Sequence, residues 1–260
     1  MIDEETEHNF LKGASFDDVI ARYNFDRSLR LILFDAIEII EVALRAKIIN
    51  HLSQAKDSGL WYLDESLFEK MEYYEDFLLD LKYEFERSTE PFAKEYIAKH
   101  TNWDSESMEG DNPDAWMILE VATFGTLSKM YKNLKSQLPQ RATIANEFGL
   151  YSAKELSSWL EAISVLRNII AHHSRLWNRR LAKQPMNIKG HRDKWLNTPF
   201  TDNQKKKPYG VITAMLYLCN AVYAENQIKA KILSLLDNNK EITYGKLGFT
   251  GNWRNEPIWK

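Results

Sequence analysis

The chain has 260 residues, 44% of them hydrophobic, and a formal net charge of −3. That composition allows one sizeable core and excludes a disordered or collagen-like polymer. A single cysteine, Cys219, excludes an intrachain disulfide framework and fits a reducing, cytoplasmic setting.

The start, Met1–Glu7, is acidic, unlike a secretory signal. No run approaches the ~20 apolar residues of a membrane span, so no membrane partner is expected. Charge is unevenly spread: residues 1–160 sum to −13 and residues 161–260 to +10. Two readings stay open: a basic half suited to a polyanion, or two halves that complement each other inside one fold.

Met1–Gly13 is polar and expected to fray, which leaves one domain over 1–260 with 1–14 as a loose leader. Ser15 followed by Asp17 and Asp18 reads as a helix start. A long helix is predicted over 25–52, with a break near its start. Leu29, Leu33, Ile37, Ile40, Leu44 and Ile48 mark its buried face. Arg27, Arg30, Glu38, Glu41 and Arg45 stripe its other side. The plainer reading, a surface ladder with Glu41 and Arg45 at i,i+4, is preferred to one in which Glu38 or Glu41 orients a later arginine.

Asp57-Ser58-Gly59 breaks the pattern. Asp64 and Ser66 then cap a helix expected to reach Arg87. A short helix follows over 91–100, a polar loop over 101–114, and a helix over 116–133. Gly125 within that helix allows a close approach or marks a break. Pro139 starts a segment that Gly149 stops. Ser152, with Glu155 three residues on, reads as a capping box.

The helix it opens carries the most informative stretch, Trp159–Arg180, read as one amphipathic helix. Wound at ~100° per residue, Arg167, Asn168, His172, Arg175, Asn178 and Arg179 share one polar arc without a carboxylate. Trp159, Ile163, Leu166, Ile170 and Trp177 take the opposite, core-facing arc. His173 falls among the apolar side chains and is expected to be packed. His172 is the chemical candidate, weighed against an ordinary exposed histidine.

Beyond Arg180 comes a basic irregular stretch with Pro185, Pro199 and Pro208. Its interleaved Trp195 and Phe200 either stack bases or plug the core, and the core reading is preferred. The candidate RNA contacts are Arg175, Arg179, Arg180, Lys183, Lys189, Arg192, Lys194, Lys205, Lys206 and Lys207. A last long helix is predicted over 209–237, and a tail with Trp253 and Trp259 folded back on the bundle. Strand alternation is scarce, so the fold class is all-α.

His172 and His173 diverge by about 100° as helix neighbours, and no carboxylate joins them at i±3 or i±4, so neither metal nor other cofactor is expected. Metal-free RNA cleavage needs what is present. A histidine moves a proton at the 2′-hydroxyl or the 5′-oxygen, and arginines hold the charge on phosphorus. The reaction wants both an acid and a base, which a two-fold dimer with paired helices supplies.

The stretch Arg167-Asn168-Ile169-Ile170-Ala171-His172 resembles the motif of HEPN-superfamily ribonucleases. The stretches 23–45 (YNFDRSLRLILFDAIEIIEVALR), 116–134 (WMILEVATFGTLSKMYKNL), 166–179 (LRNIIAHHSRLWNR) and 247–259 (LGFTGNWRNEPIW) resemble the Abi-like abortive-infection family, of the AbiD/AbiF kind. The resemblance spans about residues 15 to 260. It implies a HEPN-like helical bundle with a basic loop and C-terminal tail. It also implies a homodimeric antiphage toxin that cleaves RNA without metal. Catalytic roles fall on Arg167 and His172, with Asn168 as their polar companion.

Some members are implied to act with a structured small RNA. Members usually carry a further N-terminal segment, so this chain is expected to be a short member or a late start. Two other classes compete: an RNA-binding module that holds a partner RNA without cutting, and a structural helical protein whose Arg/His helix is a buried interface.

Overall fold

A computed structural model describes residues 15–100 and 111–260. The expected fraying of Met1–Gly13 and most of the loop predicted over 101–114 lie outside the described residues. One 41-residue helix, α1 (Phe16–Lys56), runs the length of the bundle. Ser15 caps it: its Oγ accepts from Asp18 N at 3.2 Å while Asp18 Oδ2 accepts from Ser15 N at 2.9 Å. The break expected near residue 25 is absent. Neither Gly nor Pro occurs between Phe16 and Lys56, so nothing interrupts the hydrogen-bond ladder. Asp57, at φ 48°, stops it.

The remaining helices are α2 (Met71–Glu86), α3 (Pro91–Lys99), α4 (Ala115–Ile118), α5 (Phe124–Asn133), α6 (Pro139–Glu147), α7 (Ala153–Ala171), α8 (Asp202–Lys206), α9 (Pro208–Val222) and α10 (Ile228–Asp237). The fold is all-α; no strand forms among the described residues. α1 packs on α9 and α10 and also meets α5, α6 and α7. Every residue from Pro208 to Cys219 is buried, so α9 is the central rod.

Three boundaries differ from expectation. Asp64 caps only a short 3-10 turn, accepting from Ser66 N at 2.9 Å, and α2 starts later, at Met71. The helix predicted over 116–133 divides at Ala122, where Thr123 Oγ1 accepts from Thr126 N at 3.2 Å and starts α5 afresh. Gly125 is therefore not the break; a Cβ there would lie 3.4 Å from Ser164 Oγ, so it serves the close approach of α5 to α7. The helix predicted over 209–237 is split into α9 and α10. Asn226 donates to Tyr223 O at 2.6 Å and accepts from Ile228 N at 3.1 Å, replacing the ladder with side-chain bonds. The tail folds back as predicted: Phe249, Trp253 and Trp259 form a buried aromatic cluster with Tyr209.

Candidate functional site at the end of α7

Ser152 starts α7 by accepting from Lys154 N at 3.2 Å. Glu155 does not complete the predicted capping box. It is buried, and its Oε1 accepts from Lys189 N at 3.0 Å, tying down the basic segment instead.

α7 ends at Ala171, nine residues before the predicted Arg180. His173 adopts the left-handed conformation at φ 53°. Its N–H donates to Ile170 O at 2.9 Å, and Ser174 N–H donates to Ile169 O at 3.0 Å. These two bonds form a Schellman turn with histidine where glycine is usual. The winding therefore holds as far as His172 and fails beyond it. His173 is exposed, not packed, because the turn swings it out of the apolar arc. Arg175, Asn178 and Arg179 lie on an irregular segment rather than on the helix face.

That segment is held from α1. The buried Asp26 carboxylate accepts from Leu176 N at 3.0 Å and from Trp177 N at 2.6 Å, and it pairs with Arg30 Nη1 at 2.5 Å. Arg30, predicted on the solvent stripe, is itself buried by this pairing. The Arg22 guanidinium sits 5.9 Å from the Trp177 ring centroid. Asp26 was not among the predicted site residues. Its signal is an Asp–Arg i,i+4 pair placed one residue from Phe25 and Leu29, at core spacing.

Asn168 and His172 are exposed and Arg167 is half-buried at the end of α7. His172 N–H donates to Asn168 O at 3.1 Å, so its backbone continues the helix. The arc has no carboxylate of its own, but α1 supplies one. Glu41 accepts from Arg45 Nη2 at 2.9 Å, as the ladder reading has it, and also feels the Arg167 charge. Burial lifts the Glu41 carboxyl above its usual range, against the pull of Arg45 and Arg167. Arg45 further donates to Ala122 O at 3.2 Å. Glu38 stays exposed on α1.

The basic residues are only partly gathered. Arg179 donates to Arg175 O at 3.2 Å. Lys207 donates to Asn178 Oδ1 at 3.1 Å, and Leu181 N donates to Lys206 O at 2.9 Å, bringing residues 178–181 beside 206–207. Burial, together with the charges of Arg180 and Lys246, pushes the Lys207 ammonium below its ordinary value. Lys246 was not foreseen, since 66 residues of sequence separate it from Arg180.

The others are engaged elsewhere. Lys183 pairs with Glu161 at 2.7 Å and Lys205 with Asp202 at 3.0 Å. Arg192 donates to Asn146 Oδ1 at 3.0 Å and stacks 5.3 Å from the Tyr151 ring. Lys189 and Lys194 are exposed. Trp195 and Phe200 are buried, with Trp195 stacked on Trp159 at 5.1 Å, so they serve the core as preferred.

Among the described residues, no three His, Cys, Asp or Glu side chains converge as a metal site requires. Among the same residues, no helix is long and apolar enough to cross a membrane.

Fold and site together define an all-α protein in which a helix ends on a half-buried arginine followed by an exposed asparagine and histidine. Residues 1–178 match the model of the Abi-like protein family, and the chain belongs to that family. This ties it to abortive infection. The match ends at Asn178, so the stretch 247–259, part of the wider resemblance, lies outside it. No curated protein and no solved structure matches the chain.

Proposed function

We propose that this protein is a HEPN-type, metal-independent endoribonuclease of antiphage defence, acting as a homodimer. What supports the reading is one observation: the end of α7 presents Asn168 and its C-cap His172 to solvent, with the half-buried Arg167 one turn back. In the reaction, the 2′-oxygen attacks phosphorus and the bond from phosphorus to the 5′-oxygen breaks. The products are a 2′,3′-cyclic phosphate and a free 5′-hydroxyl. One His172 imidazole accepts the 2′ proton, and the second subunit's copy gives a proton to the leaving oxygen. Arg167 stabilises the charge on the phosphorane, and Asn168 holds the imidazole or the phosphate. The like charges of Arg180, Lys207 and Lys246 form a landing site for the strand, since an anion relieves their mutual repulsion.

The experiment is incubation of purified protein with total RNA in EDTA, followed by end mapping. Cyclic-phosphate ends that vanish in His172→Ala and Arg167→Ala are expected. An absence of cleavage, or cleavage that both variants retain, overturns the reading. Tight RNA binding without cleavage would instead establish a non-cutting RNA-binding protein that holds a structured small RNA.

A further inference from the structure

Between α2 and α5 lies a groove of about 390 Å³, away from Arg167 and His172. Small-molecule sites start at roughly 300 Å³, so the space suits one metabolite-sized body. Its floor is Phe77, Thr126 and Asn133, all buried. The polar side chains of that floor already have partners. Asn133 Nδ2 donates to Lys70 O at 2.9 Å, and its Oδ1 accepts from Lys70 N at 3.0 Å. The Thr126 hydroxyl bonds Thr123 Oγ1 at 3.0 Å. The floor therefore leaves no hydrogen-bonding group waiting for a ligand, and Phe77 offers it an aromatic surface.

The groove is preformed. Besides the two bonds between Asn133 and Lys70, Glu69 N donates to Asn133 O at 2.8 Å and Lys135 N to Leu67 O at 2.9 Å. These four bonds clamp the end of α5 to the entry of α2, so an occupant need not order the walls.

The walls carry opposite signs. Asp76 and Asp80, four residues apart on one face of α2, line one side. Lys129 and Lys132 of α5 line the other, and all four are exposed. Lys132 is shared with Glu161 of α7 at 2.8 Å. Lys70, at the end of the groove, lies 5.1 Å from the Tyr73 ring centroid. Asp76, Asp80 and Lys129 are in no ion pair among the described residues. A purely cationic ligand would be opposed by Lys129, and a purely anionic one by the two aspartates. A body bearing both signs gains at each wall.

We propose that this groove binds a small zwitterion with an aromatic ring, of the aromatic amino-acid class. Its ammonium meets Asp76 and Asp80, its carboxylate meets Lys129, and its ring lies on Phe77 beside Tyr73. Both charges stand on one carbon, so the molecule bridges the walls while the ring reaches the floor. The site uses none of the residues of the RNA-cleaving reading and stands or falls apart from it.

The test is titration of the full chain with L-tryptophan and L-phenylalanine, followed by calorimetry and by thermal shift. Phenethylamine, which lacks the carboxylate, and hydrocinnamate, which lacks the amine, are the comparison ligands. At least one amino acid binds one to one, and each single-charge analogue binds about tenfold more weakly or worse. Asp80→Asn and Lys129→Gln each weaken the amino acid by a similar factor. Both side chains are exposed, so the variants melt near the wild type. Absence of binding by both amino acids at millimolar concentration overturns the proposal. An analogue that binds as tightly as phenylalanine overturns it too, as does affinity that either variant leaves unchanged.

Discussion

The Asp26 carboxylate of α1 accepts a 2.6 Å hydrogen bond from the Trp177 backbone N–H, across 151 residues of sequence. The same carboxylate receives Leu176 N–H and the Arg30 guanidinium. A charged group is stable in this interior only because its oxygens are met by such donors. The geometry of the turn after His172 is thus set from another helix rather than by its own sequence.

Removing that carboxylate has a large predicted effect. Asp26→Ala leaves Arg30 buried without its counter-charge and frees two backbone N–H groups. A loss of about 3–5 kcal/mol is expected, read from the urea midpoint. Asp26→Asn, which still accepts, should lose less.

His173 should behave oppositely. Its left-handed backbone is strained for a side chain and free for glycine. His173→Gly is expected to keep or raise stability by up to about 1 kcal/mol, and His173→Val to lower it by about 1–2 kcal/mol. Denaturant titrations of both decide this.

His172→Ala and Arg167→Ala are predicted to separate function from folding. His172 is exposed and Arg167 half-buried, so thermal midpoints should move little. Cleavage should fall by a factor on the order of 10²–10⁴ for the histidine. A matched loss of melting temperature would contradict this.

Glu41 gives a pH signature. Its folded-state pKa is raised by burial, so the unfolded chain ionises first as pH climbs. The stability associated with Glu41 is present below the ordinary glutamate value. It is lost as pH rises through the folded one. Wild type should therefore lose stability relative to Glu41→Gln across that acidic window, and the difference should level off above it.

RNA affinity should discriminate among the lysines. Lys207→Ala and Arg180→Ala, taken from the like-charged cluster, are each expected to reduce the salt slope of RNA binding by about one. Lys183→Ala should change it less, because Glu161 already neutralises Lys183. Binding isotherms at several salt concentrations measure this.

Much of the scaffold was legible. The Ser15 helix start and the apolar period from Leu29 to Ile48 marked both parts of α1, although the break expected between them is absent, and Trp195, Phe200 and the tail tryptophans went to the core as preferred. The end of α7 was not legible. Its stop signal is a histidine in a glycine's conformation, and the bonds that fix the next segment come from Asp26. Extrapolating the winding through Arg180 therefore misplaced His173. Arg30 was misread because its i,i+4 geometry suits a surface pair as well as a buried one. The α9–α10 division rests on the side chain of Asn226, with neither Gly nor Pro to announce it.

The stretch shared with the family stops at Asn178, yet α1 rests its inner side largely on α9 and α10, which span residues 208–237. A fragment trimmed to the shared stretch would bare a long greasy strip and collapse or aggregate. During synthesis the first helix emerges long before the rods that shelter it. The Asp26 latch also has nothing to grip until residue 177 has left the ribosome. The turn after His172 is thus left unset for most of the chain's translation.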